Sequence, residues 1–125
     1  MAAFYDARAK NLMLDQLGTL ALRLALHTGD PGAADTADNE VTGGSPAYAR
    51  KAVAWNAAAA GAMAPTADVV FDVPAGATVT WISGWNTAGT NRYFKKQVTS
   101  EAFGAQGTYT VVAASSSIDL SLDPA

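Results

Sequence analysis

The chain has 125 residues, a formal net charge of −3, half of its residues apolar and no cysteine. That length allows one small core beneath a relatively large surface, and without cysteine there is neither disulfide nor thiolate chemistry. Charged residues make up 15% of the chain, below the ~25% usual for soluble domains, and the basic ones form isolated pairs, Arg50-Lys51 and Lys95-Lys96, so no nucleic-acid partner is expected.

No apolar run is long enough to span a bilayer, so no membrane partner is expected either. The opening residues carry Asp6 and lack a small-residue cleavage site behind an apolar block, which argues against a secretory signal. Alanine dominates the apolar set and buries little area at roughly 25 cal/mol per Å². The leucines, the valines and isoleucines, three Trp, four Tyr and four Phe must therefore build the core.

Residues 3–17 are predicted to form the one helix. Tyr5, Ala9, Leu12, Met13 and Leu17 recur at helical spacing, with Asp6, Lys10, Asn11 and Asp15 between them. Gly18 stands where a C-terminal cap belongs. Residues 1–18 are expected to pack on the sheet or on a neighbouring subunit, and residues 19–125 to form a single β-sandwich domain.

From Leu20 the period becomes two. Leu20, Leu22, Leu24 and Leu26 alternate with Ala21, Arg23, Ala25 and His27, which predicts a strand with leucines on one face. A long polar loop follows, from Thr28 to Ser45, and then a second strand over 48–55. Val69, Phe71 and Val73 mark a strand over 68–73. Val79, Trp81 and Trp85 mark another over 78–85, with Pro74-Ala75-Gly76-Ala77 as the turn of a predicted hairpin. Residues 92–98 read as a weaker strand without clean alternation. Residues 108–113 and 118–122 read as a terminal hairpin. About seven strands with turn signals between them predict a mainly β fold, an antiparallel β-sandwich or jelly-roll-like barrel with one N-terminal helix.

No constellation of site residues emerges. His27 is the single histidine; Asp30 is near it in sequence and Ser45 ends the loop, but no nucleophile elbow surrounds them, and His27 is expected to cap the turn. Asp30, Asp35, Asp38 and Glu40 are too spread for a calcium loop and are expected to be solvated. Asp68, Asp72 and Asp119 alternate outward rather than pairing across a cleft. No catalytic, cofactor-binding or metal-ligating residue is assigned, no cofactor is expected, and the chain is not expected to be an enzyme. Among the aromatics, Trp81 and Trp85 are expected in the sandwich core with Val79, and Tyr93-Phe94 at an interface.

Three segments carry a resemblance: Leu26-His27-Thr28-Gly29-Asp30-Pro31-Gly32, Glu40-Val41-Thr42-Gly43-Gly44-Ser45, and Tyr48-Ala49-Arg50-Lys51-Ala52-Val53-Ala54-Trp55. In this succession the chain resembles a family of small bacteriophage virion proteins, with Pro46-Ala47 inserted before Tyr48. The resemblance implies a virion structural role and carries over no catalytic residue. The leading expectation is a capsid decoration (cement) protein that binds the outer surface of the major capsid protein shell, as a homo-oligomer in trimeric clusters. The alternative is a minor tail or tail-fibre protein with tail proteins as partners and a part in host attachment.

Overall fold

The computed structural model describes residues 6–119. In these, helix α1 (Ala7–Gly18) precedes β1 (Arg23–His27), β2 (Lys51–Ala52), β3 (Ala62–Met63), β4 (Val69–Val73), β5 (Thr78–Trp85), β6 (Arg92–Ala102), β7 (Gly107–Val111) and β8 (Ile118–Asp119). All pairings are antiparallel. A four-stranded sheet runs β2-β1-β5-β6, and two smaller sheets pair β4 with β7 and β3 with β8. The architecture is mainly β and sandwich-like. The sheets stay separate, so the barrel alternative does not form.

The alternation read from the sequence builds the core. Leu24 and Leu26 from β1 and Val79 from β5 meet Val69, Phe71 and Val73 from β4 and Val111 from β7. Ile82, Phe94 and Val98 pack against this cluster from the four-stranded sheet, and Tyr48, Trp55 and Tyr109 close it elsewhere.

Two predicted hairpins are replaced by crossings between layers. Strand β4 pairs with β7 in the register Val69↔Val111 to Val73↔Gly107, whereas β5 pairs with β1 and β6. Both β4 and β5 carry an apolar face. Laid side by side they would leave that face uncovered; in opposite layers each covers the other. Residues 108–113 and 118–122 likewise form no hairpin. A 3-10 turn at Ala113–Ser115 redirects the chain, so that Ile118 pairs with Met63 of β3; residues 120–122 of the expected strand lie outside the described residues.

Other boundaries shift. Leu20 remains in the turn after the helix, 39% exposed, with its N–H on the Leu17 carbonyl, so the first strand begins at Arg23. The second strand shrinks to Lys51–Ala52, and Trp55 makes an isolated bridge to Pro65. The weak strand at 92–98 proves the longest, with 11 residues; it lies at a sheet edge, where alternation is least constrained.

Helix α1 packs against β3 of its own chain. Its buried positions are Lys10 and Leu14, whereas Leu12 is 67% and Met13 39% exposed, so the buried stripe is rotated from the one expected. Asn11 and Asp15 rotate it. The Asp15 carboxylate accepts the Ala58 N–H at 2.7 Å and the Asn11 amide oxygen accepts the Gly61 N–H at 3.0 Å, which turns both polar residues toward the 58–61 turn. Gly18 is the last helical residue rather than the cap. Thr19 is the cap in a right-handed conformation, and its hydroxyl donates to the Gln16 carbonyl.

Candidate functional site

The long loop after β1 is built from an aspartate turn. The Asp30 carboxylate accepts the Gly32 N–H at 2.8 Å, and Gly32 adopts φ +94°. A β-carbon there would sit 2.6 Å from both Asp38 Oδ2 and Thr36 Oγ1, so both sterics and backbone favour glycine. The Thr36 hydroxyl and the Asp38 N–H then donate back to the Pro31 carbonyl.

Asp30, Asp35 and Asp38 are exposed, as expected from the sequence, and Glu40 is half-buried, but the loop is not free. It is strapped across the outer face of the four-stranded sheet. Arg92 of β6 donates through its guanidinium to the carbonyls of Thr36 and Gly32, and its N–H donates to the Asp35 carboxylate. The Lys95 ammonium meets Asp30 at 2.7 Å and the Gly32 carbonyl at 3.0 Å. The Lys95 hydrogen bond, helped by the Gly32 N–H, holds the Asp30 carboxyl below its ordinary pKa. Arg92 and Lys95 lie opposite Trp85 and Ser83 in the ladder, and a loop carrying acids and free carbonyls is the complement of that cationic face.

Beneath the strap lies a buried polar chain. Trp85 Nε1 can only donate, and it reaches the Ser83 hydroxyl at 2.7 Å. Ser83 Oγ lies 2.7 Å from His27 Nε2, and His27 Nδ1 lies 2.9 Å from the Asp38 carbonyl. The carbonyl can only accept, so Nδ1 carries the proton, Nε2 accepts, and the serine hydroxyl donates to it. Every polar atom of this chain is satisfied with a neutral imidazole. Burial lowers the His27 pKa against the opposing pull of the Asp38 carbonyl and Glu40.

At its far end the strap is clasped by Glu40. The carboxylate receives the Tyr48 hydroxyl at 2.8 Å and two donors of Arg50 at 2.9 Å each. The Tyr48 hydroxyl in turn accepts the Leu26 N–H, and the Arg50 guanidinium stacks 4.2 Å from the Trp85 ring centre. Burial would raise the Glu40 pKa; the Arg50 and Tyr48 hydrogen bonds outweigh it and the net shift is downward. Burial also pushes the Tyr48 hydroxyl up. Past the clasp, Gln106 bridges the Ser45 N–H and the Pro46 carbonyl.

The residues weighed for chemistry are not brought together. His27 is bonded to Ser83 and Asp38 rather than to Asp30 or Ser45, so the expected turn cap is half of its role. Asp68 accepts the Ala113 N–H and Asp119 the Ser117 hydroxyl, on different sheets. Among the described residues no group of three or more His, Cys, Asp or Glu side chains could hold a metal. Trp85 is buried, but beneath the strap; Trp81 is half-exposed with Lys95 5.6 Å from its ring centre. Neither joins Val79 in the sandwich core: the ladder to β6 is irregular between Val79, opposite Glu101, and Trp81, opposite Gln97, and beyond it Ile82 rather than Trp81 packs against the core cluster. What the sequence hid is that Glu40, Tyr48 and Arg50 converge; the only available signal was that an acid, a tyrosine and an arginine flank one glycine-rich turn.

The second surface is the far edge of β6. A groove of about 610 Å³ opens between β6 and the segment after β7, with Trp55, Ile82, Phe94 and Val98 among its walls. Trp55 and Phe94 meet edge-to-face with ring centres 6.3 Å apart, and the Trp55 N–H donates to the Ala21 carbonyl. Phe94 is half-buried on this wall, packed against the chain's own core cluster.

A two-layer β body whose polar side chains brace a surface loop defines the class of fold: a small, sandwich-like antiparallel β protein. Residues 18–120 match the family model described as Podophage GP4 fiber I protein gp80. The chain belongs to that family and is a phage virion structural protein of the tail-fibre type. No curated protein and no solved structure matches it.

Proposed function

We propose that the chain is a structural subunit of the tail-fibre apparatus of a tailed phage, working by binding other virion proteins rather than by catalysis. The observation that carries this reading is the family match over residues 18–120, which takes in the whole strap, its clasp and all three sheets. The family description names a fibre, which favours the tail over the capsid surface and the alternative expectation over the decoration role. The geometry is consistent with a part that bears load. The strap is held at Asp30, Asp35, Asp38 and Glu40, so the loop offers a preformed surface and little ordering entropy is lost when a partner binds.

Immunogold labelling of purified virions with antibody to this chain, together with gel stoichiometry, tests the reading. Label at the tail, few copies per particle and lost adsorption with intact heads on gene deletion are the expected results. Label over the head with hundreds of copies would establish the decoration role instead.

A further inference from the structure

The strap covers a titratable ring that has no access to water. His27 ends β1 and is fully buried. On the sheet side it belongs to a continuous ladder, Arg23↔Trp85 to His27↔Trp81, between β1 and β5. On the strap side it has one isolated bridge, to Glu40. Two backbone bonds flank that bridge: the Thr28 N–H donates to the Asn39 carbonyl at 2.8 Å, and the Val41 N–H donates to the Leu26 carbonyl at 3.0 Å. The ladder carries core residues with it, whereas the strap is a surface loop. The smallest opening that lets water reach the ring is therefore a lifting of the strap, with the sheet left whole.

A proton on the covered ring has no place to go. Nε2 now accepts from the Ser83 hydroxyl, which itself receives the Trp85 N–H. Once protonated, Nε2 points a second donor at the same oxygen, and the serine hydrogen loses its acceptor. A buried charge and an orphaned donor are both costly. The charges around the ring do not remove that cost. Glu40 on the strap favours an imidazolium, but its carboxylate is held by Tyr48 and Arg50. Arg50, and Arg92 from β6, oppose it. Asp38 gives the ring only its backbone carbonyl, and Lys95 of β6 is paired with Asp30. With the strap lifted the ring meets water, and the proton is accepted at the ordinary value of 6.5.

We infer that His27 is an acid-operated latch: in mild acid, protonation of its ring releases the 28–45 strap from the four-stranded sheet while both layers of the sandwich stay folded. The sign follows from linkage. Above pH 6.5 the ring is neutral with the strap down or up, and closure is at full strength. Below it only the open form binds the proton readily, so the open population grows up to about tenfold per pH unit until the lowered pKa of the closed form is reached. Asp30 and Glu40 do not set this window, because their carboxyls are held below their ordinary values, which lie near pH 4. Opening uncovers Arg92 and the Ser83–Trp85 pair. The inference does not depend on whether the protein sits at the tail or on the shell.

Amide hydrogen exchange of the full chain, followed by NMR between pH 7.5 and 5, tests it. Each rate is divided by that of an unstructured peptide at the same pH, and the His27 ring is titrated in the same samples. The Thr28 and Val41 amides should lose protection about tenfold per pH unit below 6.5, within the range over which the ring titrates. Amides of β4 and β7, in the opposite layer, should keep theirs. His27→Gln retains a polar side chain that does not titrate, and its strap amides should be indifferent to pH. Four results would each overturn the latch: strap protection that is constant to pH 5, protection lost equally in both layers, a His27→Gln strap that responds to pH as the wild type does, or a wild-type loss that begins outside the ring's titration. The last comparison needs no variant, so it decides the matter even if His27→Gln fails to fold.

Discussion

Removing a single oxygen beneath the strap should cost this protein a large share of its stability. Ser83 is fully buried, and its hydroxyl is the only link between Trp85 Nε1 and His27 Nε2, at 2.7 Å to each. Ser83→Ala leaves a buried indole N–H without an acceptor and a buried imidazole nitrogen without a donor. An orphaned buried polar group costs about 1–3 kcal/mol, so the two together should cost about 2–6 kcal/mol. A chain of this length shifts its melting temperature by about 4 °C per kcal/mol, which gives a fall of about 8–24 °C. The assay is urea unfolding followed by tryptophan fluorescence, with the slope of free energy against urea unchanged so that the loss is assigned to the folded state. The variant Ser83→Ala/Trp85→Phe, which removes the indole donor as well, should lose less than the sum of its two single changes, because they share one broken bond. A loss below about 1 kcal/mol for Ser83→Ala, or strict additivity in the double variant, would refute the linked chain.

Three further outcomes follow from the same geometry. A β-carbon added at Gly84 would overlap the Phe94 ring, so Gly84→Ala should destabilise by about 1–3 kcal/mol as the ring is driven off the strand, measurable by calorimetry. The folded pKa of His27 is lowered from 6.5, so below about pH 6.5 the unfolded chain takes up a proton that the folded chain refuses. Its contribution to stability is flat above that point and falls with pH by up to about 1.4 kcal/mol per unit until the folded pKa is reached; denaturation series between pH 8 and 5 should show this slope in the wild type and not in His27→Gln. Glu40→Gln removes the charge that Arg50 pairs with at 2.9 Å and should cost about 1.5–3 kcal/mol, with proteolysis quickening within the 28–45 loop.

How far the fold can be read from the chain depends on the range of the interactions. The strand over 69–73 was legible because Val69, Phe71 and Val73 are buried while Val70 stays exposed and Asp72 half-exposed, a pattern set by the pleat of the backbone itself. The partner of that strand was not legible. A Pro-Gly turn is compatible with a hairpin and with a crossing between layers, and only the need to cover two apolar faces chooses the second. The tryptophans escape the pattern for a related reason: the ladder between β5 and β6 is irregular between Val79 and Trp81, and no local residue pattern announces that break in alternation.

The chain alone determined the elements: where the period is 3.6, where it is two, where glycine and proline must turn the backbone, and that the leucine face belongs inside. It also carried both motifs of the strap, since His27, Asp30, Glu40, Tyr48 and Arg50 stand in plain order. Tertiary structure alone decided what those motifs do. That the exposed Asp30 also meets Lys95, 65 residues away, depends on which strand lies under the loop, and whether His27 is exposed or sealed depends on Asp38 folding back over it. Such contacts join residues far apart in sequence, so their energies exist only once the sheet has closed, whereas periodicity and turn chemistry act between near neighbours and are present before it.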